Sequence, residues 1–155
     1  MKKAAAIIGV LVLIGLTITI FSTDGSGQVV ELEGVDEVDV YLSPDCGCCV
    51  NHANYLESRT DVEVNVHTEN PPSDIERPPQ GYESCHTTVM GDYAVEGHIP
   101  VEAFETLAEE GLEDGEGITL PGMPNGSPGM GGRKTEAFEI FEYGSEEGIK
   151  TFKVV

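Results

Sequence analysis

Apolar positions along this chain follow three patterns. The first is continuous. Ala4 to Phe21 is an eighteen-residue run broken only by Gly and Thr, with Lys2-Lys3 before it. At about 1.5 Å per helical residue it reaches about 27 Å, close to the hydrocarbon thickness of a bilayer. The run, residues 1–21, predicts a transmembrane anchor or a signal helix, and Phe21-Ser22-Thr23 is a poor cleavage site for the latter. With the lysines inside, residues 22–155 sit outside the cytoplasmic membrane, anchored or, after cleavage, secreted. Residues 22–35 are rich in Gly, Ser and acids and predict a linker. The folded domain is expected over 36–155.

The second and third patterns alternate within that domain. Val38, Val40 and Leu42 recur every second residue, a strand signal over Val35 to Leu42 that ends at Ser43-Pro44-Asp45, with Asp45 expected as a helix N-cap. Cys49, Ala53 and Leu56 then share one face of a helix expected over Cys46 to Ser58. Val62, Val64 and Val66 restore the strand period from Asp61 to His67. Strand, helix and strand in about thirty residues predict a βαβ unit with parallel strands. Residues 68–84, with Pro71-Pro72 and Pro78-Pro79, predict a loop. His86 to Met90 and Tyr93 to Glu96 flank Gly91-Asp92, the signature of a type II′ hairpin. Val101, Phe104, Leu107 and Ala108 mark a helix from Pro100 to Glu110, closed by Gly111. Residues 111–135, glycine-rich and carrying Pro121, Pro124 and Pro128, predict an irregular loop. Ala137 to Tyr143 and Ile149 to Val155 predict a closing hairpin. The class is α/β with a central mixed sheet.

Composition narrows the partners. A chain of 155 residues holds one domain and an appendage, and is too short for a large barrel enzyme. It carries 28 acidic against 8 basic residues, a formal charge of −20, with every acid beyond residue 21. Such a surface repels phosphate backbones and anionic lipid, so nucleic acid is disfavoured as a partner. An acidic, apolar-lean chain is either disordered or adapted to high salt; the regular apolar patterning favours a halophilic, folded domain.

The chemistry concentrates in the cysteines. Cys46, Cys48 and Cys49 crowd the strand-to-helix turn, and Cys85 is followed at once by His86. Cys46 and Cys49 have the C-x-x-C spacing, where a helix N-terminus favours thiolate. Two disulfides or a redox dithiol are the alternatives, but a third thiol in the same turn is superfluous to dithiol exchange and useful for a soft metal. No second C-x-x-C and no H-x₃-H pair accompanies them, so a zinc finger is unsupported, although zinc on three cysteines and a histidine stays a rival to Cu(I). Clustered thiolates can bridge several Cu(I) ions. Met123 and Met130 lie in an exposed Gly/Pro loop and offer thioether ligands or a gate that select Cu(I), or cap an apolar edge; Met90 reads as core. His86 is the first nitrogen candidate, His98 a second, His52 a surface histidine near the thiols, and His67 structural. No Ser/His/Asp arrangement and no phosphate-binding loop is present.

The order Ser43-Pro44-Asp45-Cys46-Gly47-Cys48-Cys49, Ser84-Cys85-His86-Thr87, Gly91 to Pro100 and Pro121 to Met130 resembles the domain-of-unknown-function 411 family, CopG-like metal-binding proteins associated with copper resistance. The resemblance spans about residues 36–155. It implies a thioredoxin-like fold and a copper role outside the cytoplasm, with Cys46, Cys48, Cys49 and Cys85 as thiolate ligands and His86 close by. Cys85-His86 takes the place of the thioredoxin cis-proline loop. The implied activity is Cu(I) sequestration, relay or resistance, with copper ions and other copper-handling proteins as partners. The enzyme alternative is a thiol–disulfide oxidoreductase using Cys46 and Cys49. The salt adaptation is testable at once: residues 22–155 are expected to lose circular-dichroism structure on dialysis from molar to millimolar salt, and equal folding in both would overturn it.

Overall fold

The computed structural model describes residues 28–112 and 115–155. The expected membrane or signal helix lies outside the described residues, as does the linker up to residue 27. Among the described residues no helix is long and apolar enough to cross a membrane. The stretch read as linker is tied down from Val30 onward. Val30 bridges to Thr60, and Leu32 is 3% exposed in the core, with its N–H donated to Asp61.

The elements run β1 (Glu37–Leu42), α1 (Gly47–Arg59), β2 (Glu63–His67), β3 (His86–Met90), β4 (Tyr93–Glu96), α2 (Val101–Glu110), β5 (Gly117–Thr119), β6 (Glu139–Ser145) and β7 (Gly148–Val154). They form a mixed seven-stranded sheet in the order β2-β1-β3-β4-β5-β6-β7. β1 and β2 pair in parallel through the α1 crossover, as the βαβ spacing requires. β4 and β5 pair in parallel through α2. The other neighbours are antiparallel.

Two sequence expectations change. The helix begins one residue later than read, and Cys46 rather than Asp45 is its N-cap. The Cys46 N–H is donated to the Ser43 carbonyl at 2.9 Å, a tight turn that leaves Asp45 exposed. The irregular loop over 111–135 contains a strand, β5. Its glycine is what admits it: a Cβ on Gly117 would lie 2.2 Å from the Ala94 carbonyl and 2.5 Å from the Tyr143 hydroxyl, so β5 slots between β4 and β6 only without a side chain there. Local glycine content argues against a strand, and tertiary fit overrides it.

Register sorts the side chains into two faces, since directly opposed residues share one. Val40 faces Thr88 and Leu42 faces His86, so these side chains lie on one face of the sheet with Val38 and Met90. That face meets Cys49, Ala53 and Leu56 of α1 and Phe104 and Leu107 of α2 in one buried cluster. Each large apolar side chain there contributes about 2 kcal/mol by leaving water. Thr87 and its partner Glu96 point to the other face. The proline-rich segment 68–84 covers this second face: Arg77 pairs with Glu96, the Tyr82 carbonyl accepts from Thr119, the Glu76 carbonyl from Tyr143, and the Tyr82 ring meets Phe141 edge-on. Thus a segment without helix or strand serves as a lid on the sheet.

At the β2 edge, His67 Nε2 lies 2.7 Å from Asp39 Oδ1 and its ring stacks on Tyr41. The bond to Asp39 raises the His67 pKa above its ordinary value, with Glu69 adding to it. A raised histidine stabilises the fold fully below its unfolded pKa of about 6.5 and loses that contribution as pH rises through the folded value. An NMR titration should therefore find His67 above about 6.5 and Asp39→Asn should lower it; an unchanged pKa in the variant overturns the pairing.

Candidate metal centre

The turn from β1 to α1 and the entry to β3 lie side by side because β1 and β3 are neighbours. Cys46, Cys48 and Cys49 stand at the first turn of α1, and Cys85 one residue before β3. Their four sulfurs lie within 4.8 Å of one another. A second group of the same compactness comprises Cys49, Cys85, His86 and His98. Cys46 and Cys49 are joined by a disulfide, and Cys48 and Cys85 are free thiols. Cys48 Sγ is 3.4 Å from Cys46 Sγ. The two-disulfide framework is not what forms.

Three imidazoles pack behind the sulfurs. Cys85 Sγ is 3.4 Å from His86 Nδ1 and 3.4 Å from His98 Nε2. His86 Nε2 is 2.9 Å from His52 Nδ1, and His52 Nε2 is 2.9 Å from the Ile99 carbonyl oxygen. His98 Nδ1 is 2.7 Å from the Pro128 carbonyl oxygen. His52, read from the sequence as a surface residue, is fully buried with its ring against both other histidines. Its spacing of three after Cys49 put it on the thiol face of α1, and that was the available signal. Burial drives the His52 pKa down to about 4, with the Ile99 carbonyl opposing and His98 assisting. Burial, then His52 and His98, drives His86 to about 2. Burial also lowers His98, against the Pro128 carbonyl. All three rings are neutral at physiological pH, and each keeps one lone pair.

The family model described as protein of unknown function, DUF411, matches residues 82–130. A solved structure named copper resistance protein CopG, form 1, is 31% identical over 78% of this chain and 98% of its own, with a TM-score of 0.64. The chain belongs to the DUF411 family. The form 2 structure of copper resistance protein CopG matches at 29% identity over 77% of this chain and 97% of its own, with a TM-score of 0.61. No curated protein matches the sequence.

The matched DUF411 stretch holds Cys85, both histidine candidates and the methionine loop, and stops short of the cysteine triplet. Its loop is clamped on the site. Gly129 has φ 80° and a Cβ there would lie 2.7 Å from the Cys48 carbonyl oxygen and 2.7 Å from the His52 backbone nitrogen, so only glycine permits the contact. Met130, half-buried, follows it directly. Met123, seven residues earlier in the same loop, is 40% exposed with φ 45°. Met90 is in the core, 2% exposed.

From the other face, Glu96 braces the Cys85-His86 step. Its carboxylate accepts from the Ser84 N–H at 2.9 Å, from Arg77 at 2.9 Å and from Thr87 Oγ1 at 2.9 Å. The residues on both sides of Cys85-His86 are therefore held by one buried side chain.

Burial raises the Cys85 pKa, the Ser84 hydroxyl opposing and Cys48 adding to the rise. The thiol thus keeps its proton until something replaces it. In Cys48→Ser with the Cys46–Cys49 disulfide intact, Cys85 is the single free thiol, and its alkylation rate should rise with pH with a midpoint above the free-cysteine value of about 8.5. A midpoint below that value would contradict the buried-thiol account. Gly129→Ala should displace the loop, read as faster alkylation of Cys48; an unchanged rate would show the loop does not shield the sulfurs.

Proposed function

We propose that this protein binds Cu(I) through Cys46, Cys48, Cys49 and Cys85, with His86 and His98 as nitrogen ligands, and sequesters or relays copper outside the cytoplasm. The observation that carries the reading is the donor set. Two overlapping groups of sulfur and imidazole nitrogen, each compact to 4.8 Å, contain no carboxylate in a chain with 28 acidic residues. Sulfur with neutral imidazole suits Cu(I) and zinc, and excludes the hard ions that carboxylates would hold. Thiolates shared between the two groups can bridge more than one Cu(I). The Met130 thioether, beside the clamped loop, is a further soft donor within the same segment, and Met123 is an outer one. The names of the CopG structures support copper as the metal.

Cys46 and Cys49 become ligands only when their disulfide is reduced. The disulfide also supports the second reading, a thiol–disulfide oxidoreductase using this pair. The strand order β2-β1-β3-β4, the α1 crossover and the C-x-x-C at the α1 N-terminus support a thioredoxin-like arrangement for either role. The apolar run over 4–21 supports an anchor that leaves the site facing outward.

Cu(I) titration of the phosphine-reduced protein against a competing chelator separates the readings. The reduced chain should retain one or more copper ions in preference to zinc. Its oxidised form should hold copper at least about tenfold more weakly, having lost two of four thiolates. Cys48→Ser should lose copper while the Cys46–Cys49 pair still exchanges with a small disulfide. Retention of zinc in place of copper, or of neither metal, overturns the copper assignment; loss of disulfide exchange in Cys48→Ser overturns the dithiol reading.

A further inference from the structure

No described hydrogen bond joins His52 to a sulfur, and its hydrogen bonds nonetheless determine what Cys85 meets. The Ile99 carbonyl can only accept, so His52 Nε2, 2.9 Å away, carries the proton. A neutral imidazole has one N–H, which leaves His52 Nδ1 as a lone pair. His86 Nε2, 2.9 Å from that lone pair, must then donate, and His86 Nδ1 is left as the acceptor 3.4 Å from Cys85 Sγ. The same reasoning from the Pro128 carbonyl leaves His98 Nε2 as a lone pair 3.4 Å from the same sulfur. Two imidazole lone pairs therefore converge on one thiol, whose single proton can satisfy only one of them. Two nitrogens and a sulfur arranged in this way are a cation site awaiting the loss of that proton.

We propose that His52 is a positioning residue: it locks His86 in the tautomer protonated at Nε2, so that His86 presents Nδ1 to a metal at Cys85. The ligating role of Nδ1 rests on the copper reading above; the tautomer lock does not. No other described hydrogen-bond partner meets His86 Nε2, and His86 is 3% exposed, so water is a poor substitute. Ligand histidines generally donate their second nitrogen to a fixed acceptor, and loss of that acceptor weakens metal binding about 10–100-fold. Here the acceptor is a third histidine, itself pinned to the backbone at the entry to α2.

The test uses His52→Phe, which keeps a ring and removes the acceptor, and His52→Gln, which supplies an amide oxygen for His86 and an amide N–H for Ile99. Long-range proton–nitrogen correlation spectra of the reduced, metal-free protein read the His86 tautomer directly. The parent and His52→Gln should show protonated Nε2, and His52→Phe should populate protonated Nδ1. Cu(I) affinity by chelator competition should fall about 10–100-fold in His52→Phe and recover most of that loss in His52→Gln. A parent spectrum with protonated Nδ1 on His86 overturns the proposal, and it does so even where His52→Phe fails to fold. A folded His52→Phe that keeps both tautomer and affinity overturns it as well. If the tautomer responds as expected and no form of the protein holds copper, the lock stands and the copper reading fails.

Discussion

Burying three imidazoles beside a thiol sets the terms for the surrounding structure. Each neutral ring carries one N–H that must find an acceptor away from water, because an unmatched buried donor costs about 1–3 kcal/mol. His52 and His98 find backbone carbonyls, those of Ile99 and Pro128, and His86 finds His52. Those carbonyls lie just before α2 and in the glycine-proline loop, so both segments are drawn against α1. Gly129 is the steric counterpart of that requirement: the loop backbone reaches Cys48 and His52 only where a side chain is missing.

The sheet divides the labour. Its helix-covered face carries His86 toward His52, and its opposite face carries Glu96, which grips Ser84 and Thr87 on either side of Cys85-His86. A dipeptide at the mouth of a strand is free to shift when held from one side. Held from both, it places one sulfur and one nitrogen against the α1 turn with little freedom. The acceptor carboxylate is buried, so burial raises its pKa, while the Ser84 N–H and Arg77 oppose the rise. Positioning by a buried acid is costly unless every oxygen is matched, and both oxygens of Glu96 have partners.

Under the proposed function the centre joins two chemistries. Cys46 and Cys49 form a disulfide, and the same two sulfurs belong to the four-sulfur group that could hold a metal. Thiol oxidation state and metal capacity are then linked by shared atoms. Cys48 belongs to the cluster and not to the pair, which makes it the residue that tells the two apart.

Periodicity determined the elements of this protein. The valines of β1 and β2, the helical face of α1 and the Gly91-Asp92 turn are local signals, and the helix and strand bounds follow them within one or two residues except at β5. The cysteine triplet and Cys85-His86 were legible as chemistry because their residue types are scarce and clustered. Tertiary structure decided what locality cannot carry. β5 exists because Gly117 fits between Ala94 and Tyr143, although glycine disfavours strands. Leu32 belongs to the core although its neighbours read as linker. His52 turned from a surface residue into the innermost ring of the site, since helix spacing shows which face it occupies but not that Ile99, His86 and His98 close over it. Hydrogen-bond direction, and with it the nitrogen that faces Cys85, depends on carbonyls 47 residues away from His52 and 30 away from His98 in the chain. No sequence pattern encodes such distances; only the packed chain brings those partners together.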